Sequence, residues 1–126
     1  DIIMIAGGVG ITPFLSITRE ALKRNNKQRL VLLYGAMSLA DIIAKEYLDT
    51  LPSRGLERAY FLSQEKGTGD YFPGRLNIKA LKRFIRNQDQ TLFYICGPKA
   101  MKDDIEKSLR ALGVAKPAII IEDFFW

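Results

Sequence analysis

The chain has 126 residues, 48% hydrophobic and 26% charged, with 19 basic against 14 acidic side chains and a net charge of +5. That is enough chain for one domain with a full core, and no apolar run reaches the roughly 18–20 residues that span a bilayer. One cysteine rules out an internal disulfide framework, and the lack of histidine removes zinc sites of the usual kind together with Ser-His-Asp and Cys-His catalysis, so no metal site is expected. A lone Cys96 fits a reducing, cytoplasmic setting, or the cytoplasmic face of a membrane protein. The basic excess favours anionic partners such as nucleotides, acidic proteins or nucleic acid. Opening at Asp1 directly on an apolar strand, with no basic leader before it, the chain reads as a piece of something longer.

Residues 2–5 (IIMI) predict a first strand, running straight into Gly7, Gly8 and Gly10 and then a helix from 12 to about 23, with Thr12 as N-cap and Pro13 in the first helical position. Residues 29–34 (RLVLLY) are a second strand. Residues 38–41 (SLAD) resemble a capping box that opens a helix to about 51, and 52–55 form a loop. A third strand covers 57–63 (ERAYFLS), and 65–74 (EKGTGDYFPG) is too polar and glycine-rich to be regular. Asn77 caps a helix carrying Ile78, Leu81, Phe84 and Ile85 at helical spacing, and 91–96 (TLFYIC) is a fourth strand. Gly97-Pro98 starts a helix with Met101, Ile105, Leu109 and Leu112 on one face and Gly113 at its stop. Residues 118–121 (AIII) are a fifth strand, before Glu122-Asp123-Phe124-Phe125-Trp126.

Strands that are apolar throughout and separated by helices indicate a parallel sheet covered on both faces. The predicted fold is α/β, an open five-stranded parallel sheet with strand order 3-2-1-4-5. Ligands of such sheets bind at the carboxyl ends of the strands. Three glycine-bearing turns fall there: Gly7-Gly8-Val9-Gly10, Gly35-Ala36-Met37-Ser38 and Cys96-Gly97-Pro98. A strand, a glycine turn and a helix start can receive a phosphate on backbone N–H groups, or can simply be a tight βα connection. The first loop is neither a Walker A motif, since no Gly-Lys-Ser/Thr follows, nor a Rossmann fingerprint, since from Gly8 the third glycine position falls on Pro13 and no acid ends the second strand. Dehydrogenases of the usual Rossmann kind are therefore disfavoured.

Ala6-Gly7-Gly8-Val9-Gly10-Ile11-Thr12-Pro13, then Tyr34-Gly35-Ala36, then Tyr94-Ile95-Cys96-Gly97-Pro98 with Met101, resemble the NAD(P)-binding domain of the ferredoxin–NADP⁺ reductase superfamily. Flavohaemoglobin, oxygenase-reductase and cytochrome b5 reductase modules belong to that superfamily, and the likeness runs from residue 1 to about 124. It implies that Gly7, Gly8, Val9, Gly10, Ile11 and Thr12 hold the pyrophosphate and adjoining ribose, with Pro13 behind them. Gly35, Ala36, Ser38, Ser63, Gln64 and Lys66 are further nucleotide-binding candidates. Cys96, Gly97, Pro98 and Met101 would flank the nicotinamide, the cysteine positioning and polarising rather than attacking. Glu122 would sit near Cys96 and handle proton or charge there, and Phe124 would cover a flavin. Phe125 and Trp126 extend past the family's usual end, and the three aromatics can equally pack on an apolar surface.

Where NADP-using relatives carry Ser-Arg, this chain has Ser63-Gln64-Glu65-Lys66, which favours NAD(H) over NADP(H): Gln64 lacks the guanidinium fork and Glu65 repels a phosphate, with Lys66 and Arg75 in partial compensation. Arg58-Ala59-Tyr60-Phe61 mimics the family's flavin motif but lies in a strand of this domain, so FAD (or FMN) is expected on a preceding barrel absent from this chain. The resemblance thus implies a reductase passing hydride from NAD(P)H to flavin and electrons onward to an iron–sulfur, haem or metal acceptor. Alone, the chain would bind nucleotide weakly without turnover. A non-catalytic regulatory or assembly module with the same fold is the alternative. Lys79, Lys82, Arg83 and Arg86 form either a solvated face or a dock for an acidic electron acceptor. No nucleic-acid motif accompanies them.

Overall fold

The computed structural model describes residues 1–24, 27–52, 54–66 and 71–123. Among them six strands form one wholly parallel sheet: β1 (Ile2–Gly7), β2 (Leu30–Ala36), β3 (Leu56–Leu62), β4 (Tyr71–Pro73), β5 (Leu92–Cys96) and β6 (Ile119–Glu122). Their order is β4-β3-β2-β1-β5-β6. The five expected strands take the expected order, and β4 is the correction. The turn-rich excursion delivers Tyr71, Phe72 and Pro73 to the sheet edge, in register with Tyr60, Phe61 and Leu62. Tyr71 tilts onto Tyr60 and Phe72 stacks on Phe61 at ring separations of 5.5 and 5.2 Å, so cross-strand aromatic pairs outweigh the polar, glycine-rich approach. Pro73 is tolerated because an edge needs no further donor.

Among the described residues four α-helices cover the sheet: α1 (Thr12–Lys23), α2 (Lys45–Thr50), α3 (Ile78–Lys82) and α4 (Lys99–Ala111). Alternation along each strand builds two cores. Ile3, Ile5, Val31, Leu33, Phe93 and Ile95 face Leu81 of α3 and Ile105 and Leu109 of α4. Met4, Ala6, Leu32, Tyr34 and Cys96 face Ile11, Phe14 of α1 and Leu48 of α2. Each fully buried leucine, isoleucine or phenylalanine contributes about 1.5–3 kcal/mol, which is why runs such as LVLLY read as interior strands.

Two expected caps differ. Ile11 takes the N-cap position of α1, after a 3-10 turn over Gly8–Ile11, and the Thr12 hydroxyl donates back to the Val9 carbonyl at 3.0 Å. The Ser38 hydroxyl bonds the Asp41 carboxylate at 2.7 Å instead of a backbone amide, and only a 3-10 turn (Leu39–Asp41) follows. Ile42 is extended and Ala44 left-handed, so the expected long helix shrinks to α2. Asn77 caps α3 as expected, accepting from the Ala80 amide at 3.0 Å.

The amino ends of the strands are tied by Arg29. Its guanidinium donates to both Glu57 carboxylate oxygens at 2.9 and 2.8 Å, to Asp1 at 3.1 Å and to the Phe84 carbonyl at 2.7 Å. These bonds hold the Glu57 carboxyl below its ordinary pKa, against the opposing effect of partial burial. Arg29→Met should cost about 2 kcal/mol, largely from the unpaired Phe84 carbonyl. A carboxylate with a depressed folded pKa stabilises above its unfolded value and loses that contribution as pH falls through the folded one. Urea unfolding should therefore show the gap between wild type and Arg29→Met narrowing from pH 7 to pH 3.

Candidate functional site

The chain leaves β1 to either side of the sheet: β2, β3 and β4 build one way, β5 and β6 the other. The carboxyl ends of β1 and β5, in register at Ala6 and Cys96, therefore flank the switch point where open α/β sheets bind ligands. Gly7 ends β1 opposite Gly35 of β2, and Gly8, Val9, Gly10 and Ile11 form the 3-10 turn. Gly10 and Ile11 are buried, while Val9 is 45% exposed.

The glycines divide into two kinds. A Cβ on Gly10 would stand 2.5 Å from the Cys96 carbonyl carbon and 2.8 Å from the Gly97 nitrogen, closer still to the Cys96 oxygen. One on Gly7 would meet the Met101 sulfur at 2.7 Å, and one on Gly97 the Met101 methyl at 2.5 Å. These three let the turn, the end of β5 and the start of α4 pack closely together. Gly8 differs: its φ of +55° suits glycine, and a Cβ there would meet nothing within 4 Å. The contact expected between glycine and ligand is thus available at Gly8, whereas the space at Gly10 belongs to the protein itself.

Tyr34, fully buried on β2, bonds from beneath. Its hydroxyl donates to the Gly8 carbonyl at 2.6 Å and accepts from the Ile43 amide at 3.2 Å. The amide ends of the turn and of α1 carry no side-chain cap, and neither first turn holds an acidic residue. Uncapped N–H groups at the positive end of a 12-residue helix attract an anion. Thr12 is exposed and Pro13 half-buried beside them.

On the flank, β2–β3 pairing continues past the strands: the Ser63 amide donates to the Ala36 carbonyl at 3.0 Å and Gln64 to Met37 at 2.8 Å. Gly35, Ala36 and Ser38 are half-buried, and Ser63, Gln64, Glu65 and Lys66 are exposed. The Glu65 carboxylate accepts from the Leu39 amide at 3.0 Å, which fixes a negative charge beside Ser38.

Across the switch point Cys96 is fully buried, and its register partner on β6 is the exposed Glu122. Burial pushes the thiol pKa up; Lys102 opposes this, and Glu122 and Asp123 add to it. The net direction disfavours the thiolate. Pro98 caps α4, and Met101 is half-buried over Gly7 and Gly97. Phe124, the aromatic expected over a flavin, lies outside the described residues, as do Phe125 and Trp126.

Two features are not evident from sequence alone. Tyr34 has the pattern of a core residue, and nothing around it announces the bond to Gly8. Lys102 interrupts the apolar stripe of α4, and a charge spaced three residues from Ile105 is the one signal that marks it.

The chain matches the family model described as the oxidoreductase NAD-binding domain over residues 4–107. It belongs to that family. The superfamily read from the glycine turn and the Cys-Gly-Pro segment is therefore the right one. Oxidoreductase NAD-binding domain-containing protein 1 of Pongo abelii is 33% identical over 99% of the chain and 45% of its own length. NADH-cytochrome b5 reductase 1 of Candida glabrata is 31% identical over 95% of the chain and 45% of its length. The flavohem-like FAD/NAD-binding domain of Vibrio cholerae nitric oxide dioxygenase superposes with a TM-score of 0.83 at 27% identity, covering 98% of the chain and 50% of that structure. The chain therefore spans half or less of the proteins it resembles here. No described helix is long and apolar enough to cross a membrane.

The two kinds of glycine separate on substitution. Gly10→Ala should cost about 3 kcal/mol or more, as an overpacked site against fixed backbone, while Gly8→Ala should cost about 1 kcal/mol for its left-handed φ. Urea midpoints would rank them, and equal costs would mean that the turn does not sit on the end of β5. Tyr34→Phe should cost about 1–2 kcal/mol by leaving the Gly8 carbonyl unpaired.

Proposed function

We propose that this chain is the pyridine-nucleotide half of a flavin-dependent reductase. In that reading Gly8 and Val9 receive the pyrophosphate on the uncapped turn at the head of α1, and Gly97, Pro98 and Met101 bound the nicotinamide pocket beside Cys96. The observation that carries it is the seam between Gly10 and the Cys96–Gly97 peptide. It brings the uncapped turn against the Cys96–Gly97 peptide, so that in this reading one dinucleotide meets both. The nucleotide supplies a hydride when bound, and an FAD or FMN on a neighbouring domain would receive it. Relatives named as an FAD/NAD-binding domain and a cytochrome b5 reductase support that pairing. In this reading electrons would pass onward to an iron–sulfur, haem or metal acceptor.

The chain's own residues place and polarise. Tyr34 holds the Gly8 carbonyl inward. Cys96 remains a neutral, polarisable wall, and Glu122 brings its carboxylate to the same level of the sheet. Phe124 would cover the flavin.

NADH is the preferred nucleotide. Gln64 offers no fork for a 2′-phosphate, and Glu65 is pinned by the Leu39 amide where its charge opposes one. Lys66, exposed, compensates in part. A cytoplasmic setting, or the cytoplasmic face of a membrane, goes with this reading, because such a reductase draws on the cytoplasmic nucleotide pool and the one thiol is unpaired.

Calorimetry of the chain tests this. NADH should bind with NADPH about tenfold weaker, and Val9→Glu, at an exposed position in the turn, should weaken NADH about tenfold through charge repulsion. Combining Gln64→Arg with Glu65→Gln should reverse the preference, since the pair adds a guanidinium fork and removes the opposing charge. Absence of NADH binding at millimolar concentration, or unchanged affinity in Val9→Glu, overturns the site.

A further inference from the structure

Lys102 lies on the buried side of α4, between Met101 and the core residue Ile105, and is only 9% exposed. A lysine there is costly unless its ammonium is paired. Its partner is Asp123, immediately after β6, at 2.6 Å from Nζ to Oδ1. Glu122, the neighbouring residue, stands in register with Cys96. One ammonium and two carboxylates thus stand at the end of β5 and β6 where Cys96 lies. Lys99 on the same helix is 84% exposed and engages Asp103 instead.

We infer that Lys102 and Asp123 form a charge-compensating pair that sets the preference between oxidised and reduced nicotinamide nucleotide at the Cys96 wall. The inference rests on the nucleotide reading above. The oxidised nicotinamide ring carries a formal positive charge and the reduced ring none, while the rest of the two nucleotides is identical. A fixed charge near the ring therefore acts on the difference between them. Two uncompensated carboxylates would hold the oxidised ring and slow its exchange for the reduced one. Lys102, 2.6 Å from the Asp123 carboxylate, offsets one of them.

The sign of the effect separates this role from a structural tether. Lys102→Met and Asp123→Asn both break the ion pair, so a tether predicts the same change in each. Charge compensation predicts opposite changes. Removing the ammonium favours NAD⁺, and removing the carboxylate favours NADH.

The test is calorimetry of NAD⁺, NADH and ADP-ribose against wild type, both single variants and the double variant, at low ionic strength. The ratio Kd(NAD⁺)/Kd(NADH) should fall about three- to tenfold in Lys102→Met, rise by a similar factor in Asp123→Asn, and return to within about twofold of wild type in the double variant. ADP-ribose, which lacks the ring, should bind all four alike. Shifts of the same sign in the single variants, or no shift while both nucleotides still bind, overturn the inference and leave the nucleotide reading standing. Failure of wild type to bind either nucleotide removes both. Should Lys102→Met not fold, Asp123→Asn alone decides, because its substituted side chain is exposed: a rise supports the pair and anything else contradicts it.

Discussion

The site depends on one close approach of backbone to backbone. Gly10 rests on the Cys96–Gly97 peptide with no room for a side chain, and Gly7 and Gly97 leave the space that Met101 fills. This seam brings the first βα turn of the chain against a segment far later in the sequence. Everything proposed for the molecule follows from the two ends being one structure. The phosphate-ready turn and the thiol lie on the two sides of the switch point because β1 and β5 pair directly, with Ala6 in register with Cys96.

Around that seam the polar groups are arranged by what they leave free as well as by what they bond. Tyr34 occupies the inward carbonyl of Gly8, while no side chain caps the amides of the turn. Arg29 gathers acids at the opposite end of the strands. Negative charge at the ligand end is placed at the flanks: Glu65 bonded to the Leu39 amide on one side, Glu122 and Asp123 on the other, with Lys102 set against the latter. In the proposed reading such an arrangement would attract an anionic backbone at the centre and discriminate at the two ends of the ligand.

Much of this is legible in the residues. Apolar runs such as LVLLY and TLFYIC suit strands covered on both faces, so the identity of the interior strands follows from their composition. Asn77 is legible as a cap because its side chain has a local amide to bond. β4 is not, since its stability comes from Tyr71 on Tyr60 and Phe72 on Phe61, a tertiary pairing that a polar approach segment hides. The break before α2 is hidden likewise: the Ser38 hydroxyl turns to Asp41, and Ala44 adopts a left-handed conformation that its own identity disfavours. The glycine turn is visible in sequence, but only half of its explanation is. Sequence does not separate a glycine that faces open space from one pressed against a neighbouring peptide, and Gly8 and Gly10 are one of each. Lys102 stays obscure because a charge within an apolar stripe gains meaning only when its partner, here on another element, is known.

The most direct measurement is a titration of the isotopically labelled chain with NADH, followed by amide resonances. The account predicts that Gly8, Val9, Gly10 and Ile11 of the turn shift together with Gly97 and Met101, at one common affinity, while Arg29, Gly55 and Leu56 at the far end of the sheet stay in place. Shifts centred on that far end, or movement of the turn without the Gly97 segment, would contradict a single site built on the seam.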